Sequence, residues 1–342
     1  MPDQWIYWLE ELRTGHNDQV GKKCANLGEM TALGMRVPPG FAVSVDGYER
    51  FMRETGAGEE IRRYVEANRV ELKTVGRQVE ASRIIRGVIE SKSLPYDMER
   101  ELVRRYEELS ERLGLDRPAV AVRSSGAVSM PGQMETFLNV VGRRELCRHV
   151  IKVWSSAFTA RAIAFRLESG MDMARAPIGV AVLKMVRAKS AGVALTVLPF
   201  TGDTGKIIVE GNWGLGESVV SGEITPDQYI IDKETGQVQS TINPKTKMVV
   251  YRSSGTATAD VPAELRERPC LTVEELGEIA RVAKQVEAHF HAPQDLEWVV
   301  DQDLPFPENI FWVQARPAKF KVRKQEDSSE YLAELMTRIF KT

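Results

Sequence analysis

Two stretches near the end of the chain alternate apolar with polar residues, which is typical of strands that bury one face. They are residues 294–300 and 310–317, and a proline-containing segment separates them. We therefore predict two antiparallel strands. Because successive side chains in a strand point to opposite faces, Asp295 and Glu297 are expected on one face of the first strand. The other face is expected to carry apolar residues: Leu296, Trp298 and Val300.

The second strand shows the same alternation. Gln314 and Arg316 are expected on its polar face, and Phe311, Val313 and Ala315 on its apolar face. If the apolar faces pack together, two carboxylates, an amide oxygen and a guanidinium share one polar surface. Carboxylate and amide oxygens bind Mg²⁺, and the arginine fork matches phosphate oxygens. The pattern predicts a site for a metal-bound polyphosphate, and a solvated sheet face is the alternative.

Near the start of the chain, two lysines precede an amphipathic segment. Lys22 and Lys23 come directly before a stretch in which Leu27, Met30 and Leu33 recur at helical spacing. Cations at a helix N-terminus oppose the helix dipole, whereas a bound anion would remove that conflict and use the free backbone N–H groups. The segment predicts phosphate binding, and a pair of solvated lysines is the alternative.

The following region combines charged helices with a buried strand. Residues 56–114 interleave charged and apolar residues at helical spacing, which predicts a helical cap with a solvated outer face. Residues 118–122 then predict a strand that delivers Arg123 to a small-residue loop over 124–133. The backbone N–H groups of such a loop can close over phosphates, and a plain strand-end turn is the alternative. A strand resumes at Thr136.

The middle of the chain predicts one long helix from about Arg144 to Glu168, followed by apolar strands at 178–183 and 191–196. Backbone groups between these strands can read the edge of a purine held between two lobes, and a plain linker between core strands is the alternative. The segment between the strands carries Lys184, Met185 and Val186.

Three more elements lead to the C-terminal pair of strands. Residues 207–217 predict a strand entering a glycine-rich turn that ends at Glu217, and residues 229–238 predict a hairpin. Thr272 and Glu275 have the spacing of a capping box, which predicts the start of a helix.

Composition sets broad limits. With 342 residues, 43% hydrophobic and 27% charged, the chain fits one large or two medium globular domains. A net charge of −2 argues against a nucleic-acid partner or an anionic membrane surface. No apolar run reaches the roughly 18 residues of a membrane span. Three scattered cysteines favour a reducing, cytoplasmic location.

Taken in order, these motifs resemble the N-terminal nucleotide-binding domain of the phosphoenolpyruvate synthase and pyruvate phosphate dikinase family over about residues 15–320. The resemblance implies an α+β ATP-grasp fold with two lobes, 1–185 and 186–320, and ATP in the cleft between them. Residues 321–342 predict an amphipathic helical tail that packs either on this body or on a partner. The motifs that carry the resemblance are residues 21–27, 122–125, 135–140, 184–186, 214–217, 226–227, 294–298 and 313–317.

The resemblance also implies roles for single residues. Lys23 and Arg123 match phosphate contacts, and Lys23 is favoured although Lys22 stands where the family usually has glycine. Glu297 and Gln314 match Mg²⁺ ligands. Arg316 matches a family residue that stabilises the phosphoryl group during transfer. The implied catalytic residues are therefore Arg316, Arg123 and Lys23. The implied ATP-binding set is Lys23, Arg123, Thr136, Lys184, Met185, Val186, Glu217, Asp295, Glu297, Gln314 and Arg316.

Enzymes of this family pass phosphate through a histidine on a separate domain, in a glycine-rich context. None of the four histidines in this chain has that context. We expect an ATP-binding subunit whose histidine and acceptor site lie on a partner subunit, an arrangement that resembles phenylphosphate synthase. The expected acceptor is phenol or pyruvate. The alternatives are an ADP-forming ATP-grasp ligase, which needs no partner histidine, and a non-catalytic ATP-sensing subunit.

Overall fold

The computed structural model describes residues 4–320 except 69–71, 73, 128–133, 173–174, 221 and 223. The predicted tail helix over 321–342 lies outside the described residues, as does most of the small-residue loop before Thr136. The helices are α1 Asn17–Ala32, α2 Val45–Glu54, α3 Ala57–Asn68, α4 Val75–Glu90, α5 Tyr96–Leu113, α6 Arg143–Ser156, α7 Ala160–Glu168, α8 Glu217–Val220 and α9 Val273–Phe290. The strands are β1 Ile6–Trp8, β2 Gly40–Val43, β3 Val120–Ser125, β4 Thr136–Val140, β5 Gly179–Lys184, β6 Ala188–Leu195, β7 Lys206–Trp213, β8 Asp227–Asp232, β9 Val238–Thr241, β10 Lys247–Tyr251, β11 Thr256–Asp260, β12 Gln294–Asp301 and β13 Ile310–Pro317.

The described strands form two large sheets and one separate hairpin. The first sheet has the order β1-β2-β5-β3-β4, and the second has the order β13-β12-β6-β7-β8-β9. The hairpin is β10-β11, which the sequence analysis did not predict. Neighbouring strands within each large sheet are antiparallel. The two-lobed α+β architecture expected for an ATP-grasp fold is confirmed, whereas the boundaries proposed for the two lobes stay predictions.

Among the described residues, three apolar clusters pack the helices against the sheets. The helical cap, α3 to α5, packs with α6 on one face of the first sheet, as predicted for residues 56–114. Helix α9 covers the second sheet, where the capping box of Thr272 and Glu275 is confirmed. The third cluster joins α1 to the other face of the first sheet and reaches Leu215 and Val249 beyond it. Helix α1 therefore lies between the sheets, where burial of its apolar face stabilises their mutual arrangement.

One prediction about the middle of the chain was wrong. The long helix expected from Arg144 to Glu168 is two helices, because the chain breaks after α6 and the Thr159 side chain caps α7 by accepting a hydrogen bond from Ala162 N–H. The strands predicted at 178–183 and 191–196 are confirmed as β5 and β6. Strand β5 belongs to the first sheet and β6 to the second, so the segment between them crosses from one sheet to the other.

The C-terminal pair of strands is confirmed, with one correction. Glu297 pairs with Gln314, but Trp298 pairs with Trp312, so the ladder contains a β-bulge at Val313. An extra residue in one strand reverses the faces of the residues beyond it. Trp312 consequently packs in the core beside Trp298, and the assignment of Phe311 to the same face as Ala315 was wrong.

No described helix is long and apolar enough to cross a membrane.

Candidate functional site

Helix α1 and strand β3 meet at their ends. Gly21 has φ 78° and ψ 159°, which interrupts α1, and a Cβ there would lie 2.0 Å from the Ser125 carbonyl oxygen. Glycine alone tolerates both this backbone conformation and this close approach. Directly after it, Lys22 N–H donates to Gly126 O at 3.0 Å and Cys24 N–H donates to Ser125 Oγ at 3.0 Å. The first turn of the continuing helix is thereby fixed on the end of β3.

This junction separates the two lysines. Lys22 is exposed, whereas Lys23 is partly buried beside the charges of Arg123, Glu297 and Arg316. Burial, and after it the nearby charge of Arg123, lower the pKa of Lys23 to about 7. The structure therefore places Lys23, and not Lys22, among the other predicted site residues.

Arg123 links the two sheets. It projects from β3 of the first sheet, donates through Nη2 to Glu297 Oε2 of β12 at 2.8 Å, and donates through Nη1 to Val313 O of β13 at 2.8 Å. The side chains of Arg123 and Glu297 are only 12% and 14% exposed. The carbonyl that accepts from Arg123 belongs to the bulge residue, so the bulge directs a backbone acceptor into the site.

Glu297 and Gln314 are cross-strand neighbours on the polar face. Gln314 Nε2 donates to Glu297 Oε1 at 2.7 Å. Burial alone would raise the pKa of Glu297, but the charges of Arg123 and Lys23 outweigh it and hold that pKa below its ordinary value. Glu297 is therefore a carboxylate at neutral pH.

Asp295 and Arg316 form the next pair along the same face. Arg316 donates through Nε and Nη2 to Asp295 Oδ2, at 2.8 Å and 2.6 Å. Burial raises the pKa of Asp295, and Arg316 offsets only part of that rise. Arg316 is 35% exposed, which leaves part of its guanidinium accessible from solvent. The predicted polar face, with Asp295, Glu297, Gln314 and Arg316, is confirmed as an arrangement.

The cluster carries more positive than negative charge. Lys23, Arg123 and Arg316 face two carboxylates, those of Asp295 and Glu297. Among the described residues, none accepts a hydrogen bond from Arg123 Nε. A cationic surplus and unused donors in a partly desolvated cleft favour binding of a polyanion such as a triphosphate.

The oxygens of Glu297 and Gln314 fit a magnesium ion. The amide nitrogen of Gln314 already donates to Glu297, so the amide oxygen is the atom left to act as a ligand. Mg²⁺ is usually held by one or two protein oxygens together with substrate phosphates and water. Within the described part of the chain, no group of three or more His, Cys, Asp and Glu side chains is placed to hold a metal by itself.

The other predicted residues lie along the first sheet and the crossing segment. Thr136 is opposite Arg123 in the β3–β4 register and is exposed. Glu217 starts α8, accepts a hydrogen bond from Thr256 Oγ1 at 3.0 Å, and lines a pocket of about 230 Å³ together with Thr136. The remaining three residues, Lys184, Met185 and Val186, lie where the chain crosses between the sheets.

Sequence analysis gave no role to three residues that build this site. They are Ser125, which anchors α1; Val313, whose carbonyl accepts from Arg123; and Asn26, whose Nδ2 donates to Ala315 O at 2.8 Å and docks α1 on β13. Ser125 and Asn26 stand inside motifs that were singled out, so a search for capping and docking side chains within those motifs would have found them. The bulge at Val313 has no comparable signal.

Comparison with known proteins gives a consistent result. Residues 17–335 match the family described as pyruvate phosphate dikinase, AMP/ATP-binding domain. A probable phosphoenolpyruvate synthase from Staphylothermus marinus is 36% identical over 97% of this chain and 43% of the relative. The phosphoenolpyruvate synthase of Aeropyrum pernix is 37% identical over 96% of this chain and 44% of the relative.

A probable phosphoenolpyruvate synthase from Methanocaldococcus jannaschii is 35% identical over 95% of this chain and 28% of the relative. The chain thus spans less than half the length of these curated relatives. A solved L-amino acid ligase from Bacillus licheniformis aligns with a TM-score of 0.23 and 10% identity over 75% of this chain and 48% of the ligase, a likeness too distant to support an inference.

Proposed function

The chain belongs to the family of the pyruvate phosphate dikinase AMP/ATP-binding domain, and on that premise we propose that it binds Mg-ATP in the cleft between its two sheets. We further propose that it is the ATP-binding subunit of a dikinase-type phosphotransferase. Its relatives are phosphoenolpyruvate synthases of more than twice the aligned length, so the later steps of the reaction belong to parts outside these residues.

The observation that carries the proposal is the bond between Arg123 of the first sheet and Glu297 of the second, at 2.8 Å. It brings together groups that are 174 positions apart in sequence and places them beside Lys23 and Arg316. A triphosphate at this point can contact cationic groups from α1, β3 and β13 together. Such contacts hold its phosphorus atoms in line with a nucleophile, and phosphoryl transfer needs positioning and charge neutralisation above all.

Glu297 and Gln314 would hold the magnesium ion. When bound, Mg²⁺ neutralises charge on the phosphate oxygens and fixes their orientation. Glu297 enters this role already ionised, because Arg123 and Lys23 keep its pKa low. Asp295 orients the Arg316 guanidinium through the two bonds to Oδ2. The solvent-accessible part of the guanidinium would then contact the phosphoryl group that is transferred.

The nucleophile in the proposed reaction is a histidine on a partner subunit. Its imidazole attacks the β-phosphorus of ATP, the N–P bond forms, and the bond between Pβ and the oxygen shared with Pα breaks to release AMP. Water then removes the terminal phosphate from the pyrophosphorylated histidine. The remaining phosphoryl group passes to a small acceptor, for which phenol and pyruvate are the proposed candidates.

Three of the four histidines of this chain are engaged away from the cluster. The ring of His289 pairs with Glu29 at 2.9 Å, and the Nδ1 atom of His149 lies 2.7 Å from Glu145 O. His16 Nδ1 accepts from Arg13 N–H at 2.9 Å. These contacts support the assignment of the phosphoryl-carrying histidine to a partner.

Identifying the nucleotide product tests the proposal. The chain, supplied with the proteins that co-purify with it from its native source, is expected to convert ATP to AMP and phosphate in the presence of Mg²⁺. Accumulation of ADP would contradict the dikinase reaction and support an ATP-grasp ligase. Tight ATP binding without isotope exchange between ATP and AMP would support an ATP-sensing subunit. The matched variant is Glu297→Gln, which keeps the side-chain size and is expected to abolish the Mg²⁺-dependent formation of AMP.

A further inference from the structure

Strand β13 lies at the edge of the second sheet, so its outward backbone groups need partners from outside that sheet. Two carbonyls, two residues apart, have such partners. Val313 O accepts a hydrogen bond from Arg123 of β3 at 2.8 Å. Ala315 O accepts one from Asn26 Nδ2 of α1, also at 2.8 Å. The edge of β13 is therefore attached both to the strand that carries Arg123 and to the helix that carries Lys23.

The turn of α1 that carries Lys23 is attached to both sheets. Hydrogen bonds from Lys22 N–H and Cys24 N–H attach it to the end of β3 in the first sheet. Arg316, which the proposed function places with Lys23 on the same triphosphate, projects from the second sheet. Asn26 supplies an attachment on that side, at the residue of β13 directly before Arg316.

The spacing along α1 connects this attachment to Lys23. Lys23 and Asn26 are three positions apart, so their side chains lie on the same side of the helix. Their separation along the helix axis is about 4.5 Å. The bond of Asn26 therefore restrains the rotation of the helix and its distance from β13 close to Lys23. A second contact, between Glu29 and His289 at 2.9 Å, lies further along α1 and reaches helix α9 instead of β13.

The three cations of the cluster are oriented in different ways. Arg123 is held by Glu297, and Arg316 is held by Asp295, each through charged hydrogen bonds. Lys23 carries a compact charge on a flexible stem, so the position of its ammonium depends on where α1 lies. When reacting groups must be aligned, a misplacement of about 1 Å can slow the reaction about 10²-fold.

We propose that Asn26 is a positioning residue for phosphoryl transfer, which holds α1 against β13 so that Lys23 and Arg316 contact the same triphosphate. Asparagine suits this task because its neutral amide donates to a backbone carbonyl without adding charge to the cluster. This inference rests on the proposed function and adds to it a residue that acts through Lys23.

The variant Asn26→Ala in the full chain tests the inference. With Mg²⁺ and the co-purifying proteins, single-turnover formation of AMP is expected to slow about 30-fold, because Lys23 is no longer aligned with Arg316. The dissociation constant of Mg-ATP, measured by isothermal titration calorimetry, is expected to stay within about threefold of the parent, since both arginines remain in place.

Asn26→Leu separates the hydrogen bond from packing, because leucine has a similar size and no donor. It is expected to slow AMP formation as much as Asn26→Ala does. A loss confined to the alanine variant would assign the effect to packing and overturn the inference. An unchanged rate in both variants would overturn it as well.

A double substitution tests whether Asn26 acts through Lys23. Lys23→Met combined with Asn26→Ala is expected to form AMP no more slowly than Lys23→Met alone, since residues that act through one group are not additive. Rate losses that multiply would overturn the inference.

His289→Ala is the matched control, because it removes a contact of α1 that does not involve β13. Its rate of AMP formation is expected to stay within about threefold of the parent. A loss equal to that of Asn26→Ala would overturn the inference and leave the proposed function in place. A parent protein that forms no AMP overturns the proposed function and this inference with it.

Discussion

Two buried groups of opposite charges in the described part of the chain differ in how completely their charges are paired. At the start of β8 in the second sheet, Asp227 is fully buried together with Lys245, whose Nζ lies 2.6 Å from Asp227 Oδ1. Asp227 also accepts from the backbone N–H groups of Asn243 and Cys270 at 3.2 Å and 2.9 Å. Lys245 also donates to Asn243 O at 3.0 Å. The charges of Lys245 and Asp227 therefore balance, and both side chains make further hydrogen bonds to the backbone.

The cluster between the sheets is incomplete by the same measures. Three cations face two carboxylates, and the Arg123 Nε atom has no partner among the described residues. The pKa of Lys23 is lowered to about 7 by burial and then by Arg123, whereas burial raises that of Asp295. Each of these shifts opposes the charged form of its group, which means that the fold alone does not compensate these charges.

The comparison shows that burial of charge has no single meaning. A buried pair with balanced charge and satisfied hydrogen bonds has a structural role, because removing one partner destabilises the fold. A cluster with surplus charge and displaced pKa values is where an external ligand completes the set, which is why such clusters concentrate at functional sites. The two groups should therefore respond differently to substitution, and the following predictions rank those responses.

The largest expected effect is on stability at the complete pair. Lys245→Met removes the ammonium and leaves the Asp227 carboxylate buried without its partner. We expect this to lower the free energy of unfolding by roughly 3 to 5 kcal/mol. Urea denaturation followed by circular dichroism measures it. Adding Asp227→Asn in the same chain removes the unpaired charge and is expected to restore part of the loss. A single variant within about 1 kcal/mol of the parent would contradict the structural role given to this pair.

The second effect is on catalysis at the incomplete cluster. Arg316→Ala removes the group proposed to stabilise charge in the transition state, so turnover to AMP is expected to fall about 100-fold or more with only a modest loss of ATP affinity. Single-turnover measurement of AMP with the partner present, together with ATP titration, separates the two quantities. Arg316→Lys keeps the charge without the fork and serves as the matched variant. Turnover within about threefold of the parent in the alanine variant would exclude this role.

The third effect depends on pH and concerns Lys23. Its pKa is near 7 in the folded chain and near 10.5 when unfolded, so between these values the unfolded state binds more protons and stability rises with pH. The destabilisation is complete below pH 7 and disappears as the pH approaches 10.5. Lys23→Met is therefore expected to be more stable than the parent at pH 6, by about 1 kcal/mol, and to lose that advantage at higher pH.

Thermal unfolding of both proteins from pH 6 to pH 10 gives the difference directly. Lys22→Met is the control, since Lys22 is exposed one position away, and it is expected to match the parent throughout. An advantage of Lys23→Met that stays constant with pH would show that the effect comes from packing and not from charge.

How far the sequence predicts these features depends on the range of the interactions. The alternation over residues 294–300 is local, and it correctly assigned Asp295 and Glu297 to one face. The bulge at Val313 was missed, because alternation does not mark where one strand contains an extra residue. The break before Thr159 was missed for a related reason, since apolar spacing continues through it.

For the site as well, the sequence predicts the residue types but not the contacts between distant parts of the chain. The residue types at positions 23, 123, 297 and 316 indicate phosphate and metal chemistry, but their contacts join elements far apart in the chain. That Arg123 bonds to Glu297, or that Gly21 lies against Ser125, follows from how two sheets and one helix pack. No local pattern encodes those distances. The Asp227–Lys245 pair was not anticipated at all, because a lysine gives no sequence signal for complete burial.

The smallest expected effect comes from a second Lys–Asp pair, which isolates burial as the variable. Lys247 lies two residues after Lys245, and its Nζ is 2.8 Å from Asp260 Oδ1, yet these side chains are 54% and 71% exposed. Solvent screening leaves such pairs worth about 0.2–1 kcal/mol, so Lys247→Met is expected to change the unfolding free energy by less than about 0.5 kcal/mol. Urea denaturation under the conditions used for Lys245→Met makes the two substitutions directly comparable, since residue types and pair distance are nearly the same. Equal losses from both would show that burial and complete hydrogen bonding do not set the difference, and the contrast between the complete pair and the incomplete cluster would lose its physical basis.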